Sequence, residues 1–162
     1  MRNNLIIILI FFMMFLAGLY AGAETGIYQI SRLRLRLGIE NRRLSYIMLG
    51  KVMDDSAGLL ISILIGTNLA FYAITSIVTH ILLDKVGDIH TAEILAAVLT
   101  APVLFIFCEL IPKNLFFYRA DGLVPYVSGV LYVSKKVFTW TGAVFILKGL
   151  ARFMAGLTGS AA

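Results

Sequence analysis

Apolar residues fill most of the chain in long stretches, and short polar segments separate them. Three stretches, residues 4–30, 57–83 and 92–112, are long enough for a helix to cross the roughly 30 Å hydrocarbon core of a bilayer. Inside a bilayer the backbone polar groups must find partners within the protein, which favours helices. The pattern therefore predicts an all-α integral membrane protein with three transmembrane helices.

The region that follows is apolar but less regular. Charged residues and a proline interrupt residues 122–157, so neither half forms a clean span: Pro125, Lys135, Lys136, Lys148 and Arg152. We expect short interfacial helices here, with their lysines at the lipid headgroups. A fourth span over residues 137–157 is the alternative.

The first apolar stretch also resembles a cleavable signal peptide, because small residues at 21–23 follow the apolar run. Two features favour a retained helix. The run is long for a signal core, and Gly18, Gly22 and Gly26 continue a four-residue spacing through the apparent cleavage site. That spacing places three glycines on one face, where a second helix can approach closely.

Composition and charge exclude the soluble classes. Apolar residues make up 60% of the chain and charged residues 14%, with a formal net charge of +5. In a membrane protein the basic residues indicate the topology. Nucleic acid is a poor candidate partner, because recognising it would require a soluble face rich in basic and aromatic residues. No nucleophile–base pair stands out, so we do not expect an enzyme.

Cations concentrate in a basic segment, residues 31–55, which holds Arg32, Arg34, Arg36, Arg42, Arg43 and Lys51. The positive-inside rule places this segment in the cytoplasm, with the amino terminus outside and the carboxyl terminus inside a cell membrane, inner or plasma. Leucines between the arginines favour a segment lying along the bilayer interface. A solvated basic loop is the alternative.

One carboxylate stands out in the third predicted helix. From Ile94 to Ile111 the only charged residue is Glu109. A charge at membrane depth costs about 2.5–3.5 kcal/mol on insertion scales, so it indicates a functional site by default. The alternative is a structural pair with Lys113 at i, i+4. Pro112 predicts a kink or stop, and Pro102 frees a carbonyl in mid-helix.

The second predicted helix carries a polar stripe at helical spacing, formed by Asn68, Tyr72, Thr75 and Thr79. Such a stripe is expected to face protein or a wet cavity. Hydrogen bonding between helices is the commoner explanation and a binding site the rarer one. His80 and His90 lie near acids, but solvated loop polarity explains them better than a metal site.

Three stretches together resemble the transmembrane domain of the CorC/cyclin M (CNNM) magnesium transporters. They are residues 23–35, which begin Ala-Glu-Thr, residues 64–69, which read Leu-Ile-Gly-Thr-Asn-Leu, and residues 109–115, which read Glu-Leu-Ile-Pro-Lys-Asn-Leu. The last is the most specific. The resemblance implies a single membrane domain over residues 1–162 with a juxtamembrane helical belt. No cytoplasmic regulatory domain is expected in this chain.

The resemblance also implies a function and a site. It implies a homodimer that exports Mg²⁺, coupled to Na⁺, through a cation site facing the cytoplasm, with a separate cytoplasmic regulatory protein as a further partner. The implied metal ligands are Glu24, Thr25, Thr67, Asn68 and Glu109. The implied structural residues are Gly66, Pro102, Pro112 and Lys113.

Several positions depart from the family pattern. Gly22 and Ala23 stand where serines are usual, Thr67 and Phe71 replace asparagines, and Cys108 replaces a glycine. Because Mg²⁺ requires oxygen ligands, these losses predict weak binding. A non-transporting membrane scaffold of the same fold, with a degenerate site, is therefore the alternative function.

Overall fold

The computed structural model describes the backbone of residues 2–157 and the side chains of residues 4–150. The helices are α1 (Arg2–Gln29), α2 (Arg32–Glu40), α3 (Leu44–Met53), α4 (Ser56–Val86), α5 (Ile89–Leu104), a π-helical segment (Phe105–Leu110), α6 (Ile111–Trp140) and α7 (Ala143–Leu157). No residue in this described range lies in a strand. The all-α prediction is confirmed.

Three helical stretches are long and apolar enough to span a membrane: Asn4–Gln29, Ser56–Val86 and Ile89–Trp140. The prediction of three transmembrane helices is confirmed, with bounds that differ most in the third. A short polar connector, residues 87–88, joins the second span to the third. Gly87 ends α4 with a φ of 78°, a left-handed conformation that suits glycine, and Asp88 caps α5 by accepting from the Thr91 amide at 2.8 Å.

The glycine face of α1 packs against α6 of the same chain. A Cβ atom on Gly22 would lie 2.4 Å from the Phe116 ring, and one on Gly26 would lie 2.5 Å from Val124. A Cβ on Gly18 would lie 3.1 Å from Pro112. The predicted close approach of a second helix is therefore present. It uses this face within the chain, so a dimer would need another surface.

Two groups of buried residues form the core. The larger joins α1, α3, α4 and α6 and contains Tyr20, Leu49, Ile63 and Val124 among others. The smaller lies between α1, α4, the end of α5 and the π-helical segment and contains Ala17, Ala70, Ile74, Leu104 and Cys108. Helix α1 contributes to both groups and runs unbroken through residues 21–23.

The third span does not stop at Pro112 as expected. Helical residues continue to Trp140, but the chain kinks at Arg119, where the backbone leaves the helical region (φ −124°, ψ 30°), so this stretch consists of two helices that meet there. The irregularity that proline imposes lies before it, where the Ile111 amide donates to the Ile106 carbonyl in the π pattern. The wider turn accommodates the proline without ending the helix. Pro102 likewise lies inside an unbroken α5.

The carboxyl-terminal region contains two helices separated at Thr141 and Gly142. Gly142 has a φ of 77°, which ends α6 and redirects the chain. The 15 residues of α7 are fewer than the roughly 20 that a spanning helix needs. Within residues 4–150 no fourth candidate span is present, and the alternative span over residues 137–157 extends beyond them.

The basic segment forms α2 and α3 rather than a loop. Asp121 of α6 holds its start, because one carboxylate oxygen accepts from the Ser31 amide at 2.8 Å and the other lies 3.4 Å from Arg34 Nε. Leu33 and Leu37 are exposed between the arginines. Such amphipathic helices suit a position along the bilayer interface.

Candidate cation site

The candidate site centres on three charged side chains inside the spanning helices. Lys113 Nζ lies 2.8 Å from Glu109 Oε1 and 3.8 Å from Glu24 Oε2. One lysine of α6 therefore joins a carboxylate of the π-helical segment to a carboxylate of α1. The three side chains are between 36% and 45% exposed in the single chain, so the group is not sealed in the core.

Local backbone geometry brings these groups together. The π-helical segment widens the turn that carries Glu109, and such segments often occur at functional positions. Gly18 lets α1 approach the start of α6 closely, because a Cβ atom there would lie 3.1 Å from Pro112 Cγ, tighter than an ordinary contact. Glu24 lies less than two turns further along α1 and so reaches Lys113.

Glu109 borders two cavities. One, of about 330 Å³, lies between α1 and α6 and is lined by Thr25, Glu109, Lys113 and Asn114 with apolar neighbours. The other, of about 320 Å³, lies between α4 and α5 and is lined by Phe71, Thr75, Thr100 and Glu109 among others. Glu109 is thus accessible from both sides of the third span.

The structure brings together Glu24, Thr25 and Glu109 among the predicted ligands. It does not bring Asn68 to them: this side chain is exposed, and its Nδ2 donates to the Leu64 carbonyl of its own helix at 2.8 Å. Thr67 is half-buried and donates to the Ile63 carbonyl at 3.0 Å. Both α4 residues bond their own backbone.

Thr75 is the polar α4 residue that lines the cavity of Glu109, and the sequence placed it on the polar stripe without naming it as a ligand. A signal for it was present, since Thr75 lies seven residues after Asn68 on the polar stripe. The residues of the stripe differ in their surroundings. Tyr72 is exposed, whereas the Thr79 hydroxyl donates to the Thr75 carbonyl at 2.9 Å.

Gly66 has a clear structural role. A Cβ atom there would lie 2.6 Å from the Tyr20 ring, so only glycine allows α4 and α1 this contact. The Tyr20 hydroxyl lies 2.6 Å from Ser134 Oγ and thereby links both helices to α6. The interaction places α4 relative to the carboxylates without contributing a ligand.

Packing explains three of the departures from the family pattern. Gly22 is in contact with Phe116, Ala23 is fully buried, and Cys108 is 1% exposed in the smaller core group. These positions face neighbouring helices in this chain, so the Cys108 sulfur is not a candidate ligand. Phe71, in contrast, lines the cavity of Glu109 and makes that wall apolar.

The site offers oxygen donors of the kind that a hard cation prefers. Carboxylates of Glu24 and Glu109 with the hydroxyl of Thr25 suit Mg²⁺, which keeps several waters when bound by few protein ligands. Within the described residues, no group of three or more His, Cys, Asp or Glu side chains could hold a metal ion. The donor set of two carboxylates and a hydroxyl suits a hard cation that keeps part of its water shell.

The fold and the charged group inside its spans define a multi-pass helical membrane domain. The chain belongs to the family described as the cyclin M transmembrane N-terminal domain, which matches residues 7–162. It is also similar to a "UPF0053 protein" of Haemophilus influenzae, with 29% identity over 136 residues. That match covers 84% of this chain and 32% of the relative, so the chain spans about a third of the relative's length.

Proposed function

We propose that this domain exports Mg²⁺ across the cell membrane, coupled to Na⁺, through a site that opens to the cytoplasm. The observation that carries the proposal is the convergence of Glu24 and Glu109 on Lys113 within apolar spans. Two carboxylates at membrane depth are expensive, and a transported cation explains why they are present. Family membership supports a role in cation transport.

Lys113 acts in this proposal as a resident counter-ion. In the absence of Mg²⁺ its ammonium group neutralises Glu109, at 2.8 Å, and partly neutralises Glu24. A divalent cation that enters the cavity of Thr25 and Glu109 competes for the same oxygens. Lys113 is 36% exposed, so its flexible side chain can turn away as the cation binds.

The proposed Na⁺ coupling would use the same competition for the carboxylate oxygens. Na⁺ and Mg²⁺ both take oxygen ligands, and one pair of carboxylates holds a single cation at a time. Alternate occupancy by the two ions provides the physical basis for exchange. We further propose that the domain acts as a homodimer and that a separate cytoplasmic protein regulates it.

The test is ion flux in liposomes that contain the purified chain. Mg²⁺ should leave Mg²⁺-loaded vesicles when Na⁺ is supplied outside, and Glu109→Gln should reduce the flux to the level of empty vesicles. Glu93→Gln is the matched control, because Glu93 is an exposed acid of α5 outside the site. Flux that survives Glu109→Gln would overturn the proposed site.

A second candidate function is a membrane scaffold without transport. The observations that favour it are the intact Glu109–Lys113 pair and the exposed Asn68. In that case the pair only stabilises the turn after the π-helical segment. The scaffold predicts no flux from the unmutated protein, and a small loss of thermal stability in Glu109→Gln.

A further inference from the structure

A cationic cavity of about 410 Å³ lies between the end of α3 and the last turns of α6, remote in sequence from Glu24 and Glu109. Its lining combines three lysines with two aromatic residues and a hydroxyl: Lys51, Lys135, Lys136, Tyr132, Trp140 and Thr139. Neither the proposed transport nor the family match uses this combination.

The sequence of α6 builds most of the cavity. Residues 132, 135, 136, 139 and 140 follow the i, i+3, i+4, i+7, i+8 spacing that places side chains on one helix face. Two hydrogen bonds hold α3 against that face. Lys135 Nζ donates to the Val52 carbonyl at 2.9 Å, and Ser128 Oγ donates to the Ser45 carbonyl at 2.9 Å.

The three lysines differ in how their charge is used. Lys135 is anchored, with a side chain 16% exposed and its Nζ 3.8 Å from Asp55 Oδ2. Lys51 and Lys136 are exposed, and among the described side chains neither forms an ion pair with a carboxylate. The cavity therefore carries uncompensated positive charge and attracts an anion.

The position of the cavity identifies the kind of anion. Lys51 precedes the start of the second span at Ser56 by only five residues, which places the cavity at one membrane surface. Trp140 is 90% exposed beside it, and tryptophan and tyrosine prefer the level of the lipid headgroups. Lysines at that level attract anionic lipids.

We propose that this cavity binds the phosphate group of an anionic phospholipid. Lys51 and Lys136 contact the phosphate oxygens, while Tyr132 and Trp140 lie against the glycerol and upper acyl region. Inorganic phosphate carries the same negative charge and the same oxygen acceptors as the lipid phosphate. It has no apolar part, however, and would leave the exposed rings of Tyr132 and Trp140 without a contact. The proposal does not depend on cation transport, since it uses none of the same residues.

The only tryptophan of the chain, Trp140, reports on the cavity directly. The purified chain is placed in nanodiscs of phosphatidylcholine that contain a minor fraction of either brominated phosphatidylglycerol or brominated phosphatidylcholine. Bromine quenches a nearby tryptophan, so the anionic lipid should quench Trp140 more strongly at equal fraction. The double variant Lys51→Gln, Lys136→Gln should lose this excess, with lipid enrichment falling roughly fivefold per lysine, equivalent to about 1 kcal/mol per cation.

Controls separate a site from general surface charge and a lipid from free phosphate. The double variant Arg32→Gln, Arg36→Gln removes the same charge from exposed positions of α2 and should keep the excess quenching. Equal quenching by both lipids in the unmutated chain, or equal loss in the α2 variant, would overturn the proposal. Suppression of the excess by millimolar inorganic phosphate would overturn lipid as the ligand.

Discussion

Lys113 Nζ lies 2.8 Å from Glu109 Oε1, one helical turn away on the far side of Pro112. The same amine lies 3.8 Å from Glu24 Oε2 of α1, so Lys113 also connects two helices. The sequence left two interpretations of Glu109 open, a functional carboxylate and a structural partner of Lys113. The geometry is compatible with both, because the paired carboxylate still borders two cavities.

Gly22→Ala should destabilise the protein by about 1–3 kcal/mol, the usual effect of overpacking. The new Cβ would lie 2.4 Å from Cδ2 of Phe116, and that ring is 4% exposed with little room to move. Thermal unfolding in detergent measures the effect. Gly129→Ala is the control, since nothing lies within 4 Å of a Cβ there, and it should be neutral or slightly stabilising. Equal stability of both variants would contradict the packing of α1 on α6.

The spanning helices could be predicted because a bilayer imposes length and continuous apolarity on them. The end of the third helix could not, because proline was expected to break the helix. The structure instead places the irregularity in the π-helical segment before Pro112. The sequence rules for proline do not indicate that a π-helical turn can accommodate the backbone amide donor that Pro112 lacks.

The candidate site was predicted only in part for a similar reason. Glu24, Thr25 and Glu109 were identified by motif, and they lie close together. Asn68 was identified in the same way, yet its side chain bonds its own helix. A sequence shows the spacing along α4 but not the rotation of α4 relative to α5, which brings Thr75 to the cavity of Glu109.

The ion pair of Asp55 with Lys148 should make the stability of the packing of α7 depend on pH. Lys148 Nζ lies 2.6 Å from Asp55 Oδ2 and holds the pKa of this carboxyl below its ordinary value. A lowered pKa means that the stabilisation is present above the ordinary carboxyl pKa of about 3.9 and is lost as pH falls through the lowered value. Because Asp55 is 44% exposed, we expect only about 0.5–1 kcal/mol.

Thermal unfolding of the unmutated chain and of Lys148→Met measures this contribution. The variant should be less stable at about pH 7, and the difference should shrink below the ordinary carboxyl pKa of about 3.9 and disappear once the pH has fallen through the lowered folded-state value. A difference that persists unchanged in acid would show that Lys148 acts through packing alone.

The two exposed residues of the α4 polar stripe, Asn68 and Tyr72, predict the surface of a homodimer. Asn68 and Tyr72 lie on the outside of the single chain at the depth of the second span, where lipid is a poor partner for them. In a Cys108→Ser background, Tyr72→Cys should form an oxidative crosslink between two copies. Phe15→Cys, exposed on α1, should not. A monomeric mass in nanodiscs would contradict the dimer.

Membrane orientation is tested by cysteine labelling in the same Cys108→Ser background. The cations at residues 31–55 predict that this segment is cytoplasmic and that the α4–α5 connector is external. His90→Cys should react with an impermeant maleimide from outside, whereas Gly122→Cys should react only after the membrane is opened. Both positions tolerate the change, since His90 is exposed and a Cβ on Gly122 meets open space. The reverse labelling pattern would invert the topology.

Isothermal titration of the purified chain with Mg²⁺ tests the central claim most directly. We predict binding near millimolar affinity, about −4 kcal/mol, that Na⁺ weakens. Lys113→Met should bind Mg²⁺ roughly tenfold more tightly, since about 1.4 kcal/mol of competition is removed. Glu109→Gln keeps the shape, removes the charge and should abolish binding. Unchanged Mg²⁺ affinity in Glu109→Gln, or no detectable binding by the unmutated chain, would contradict the account.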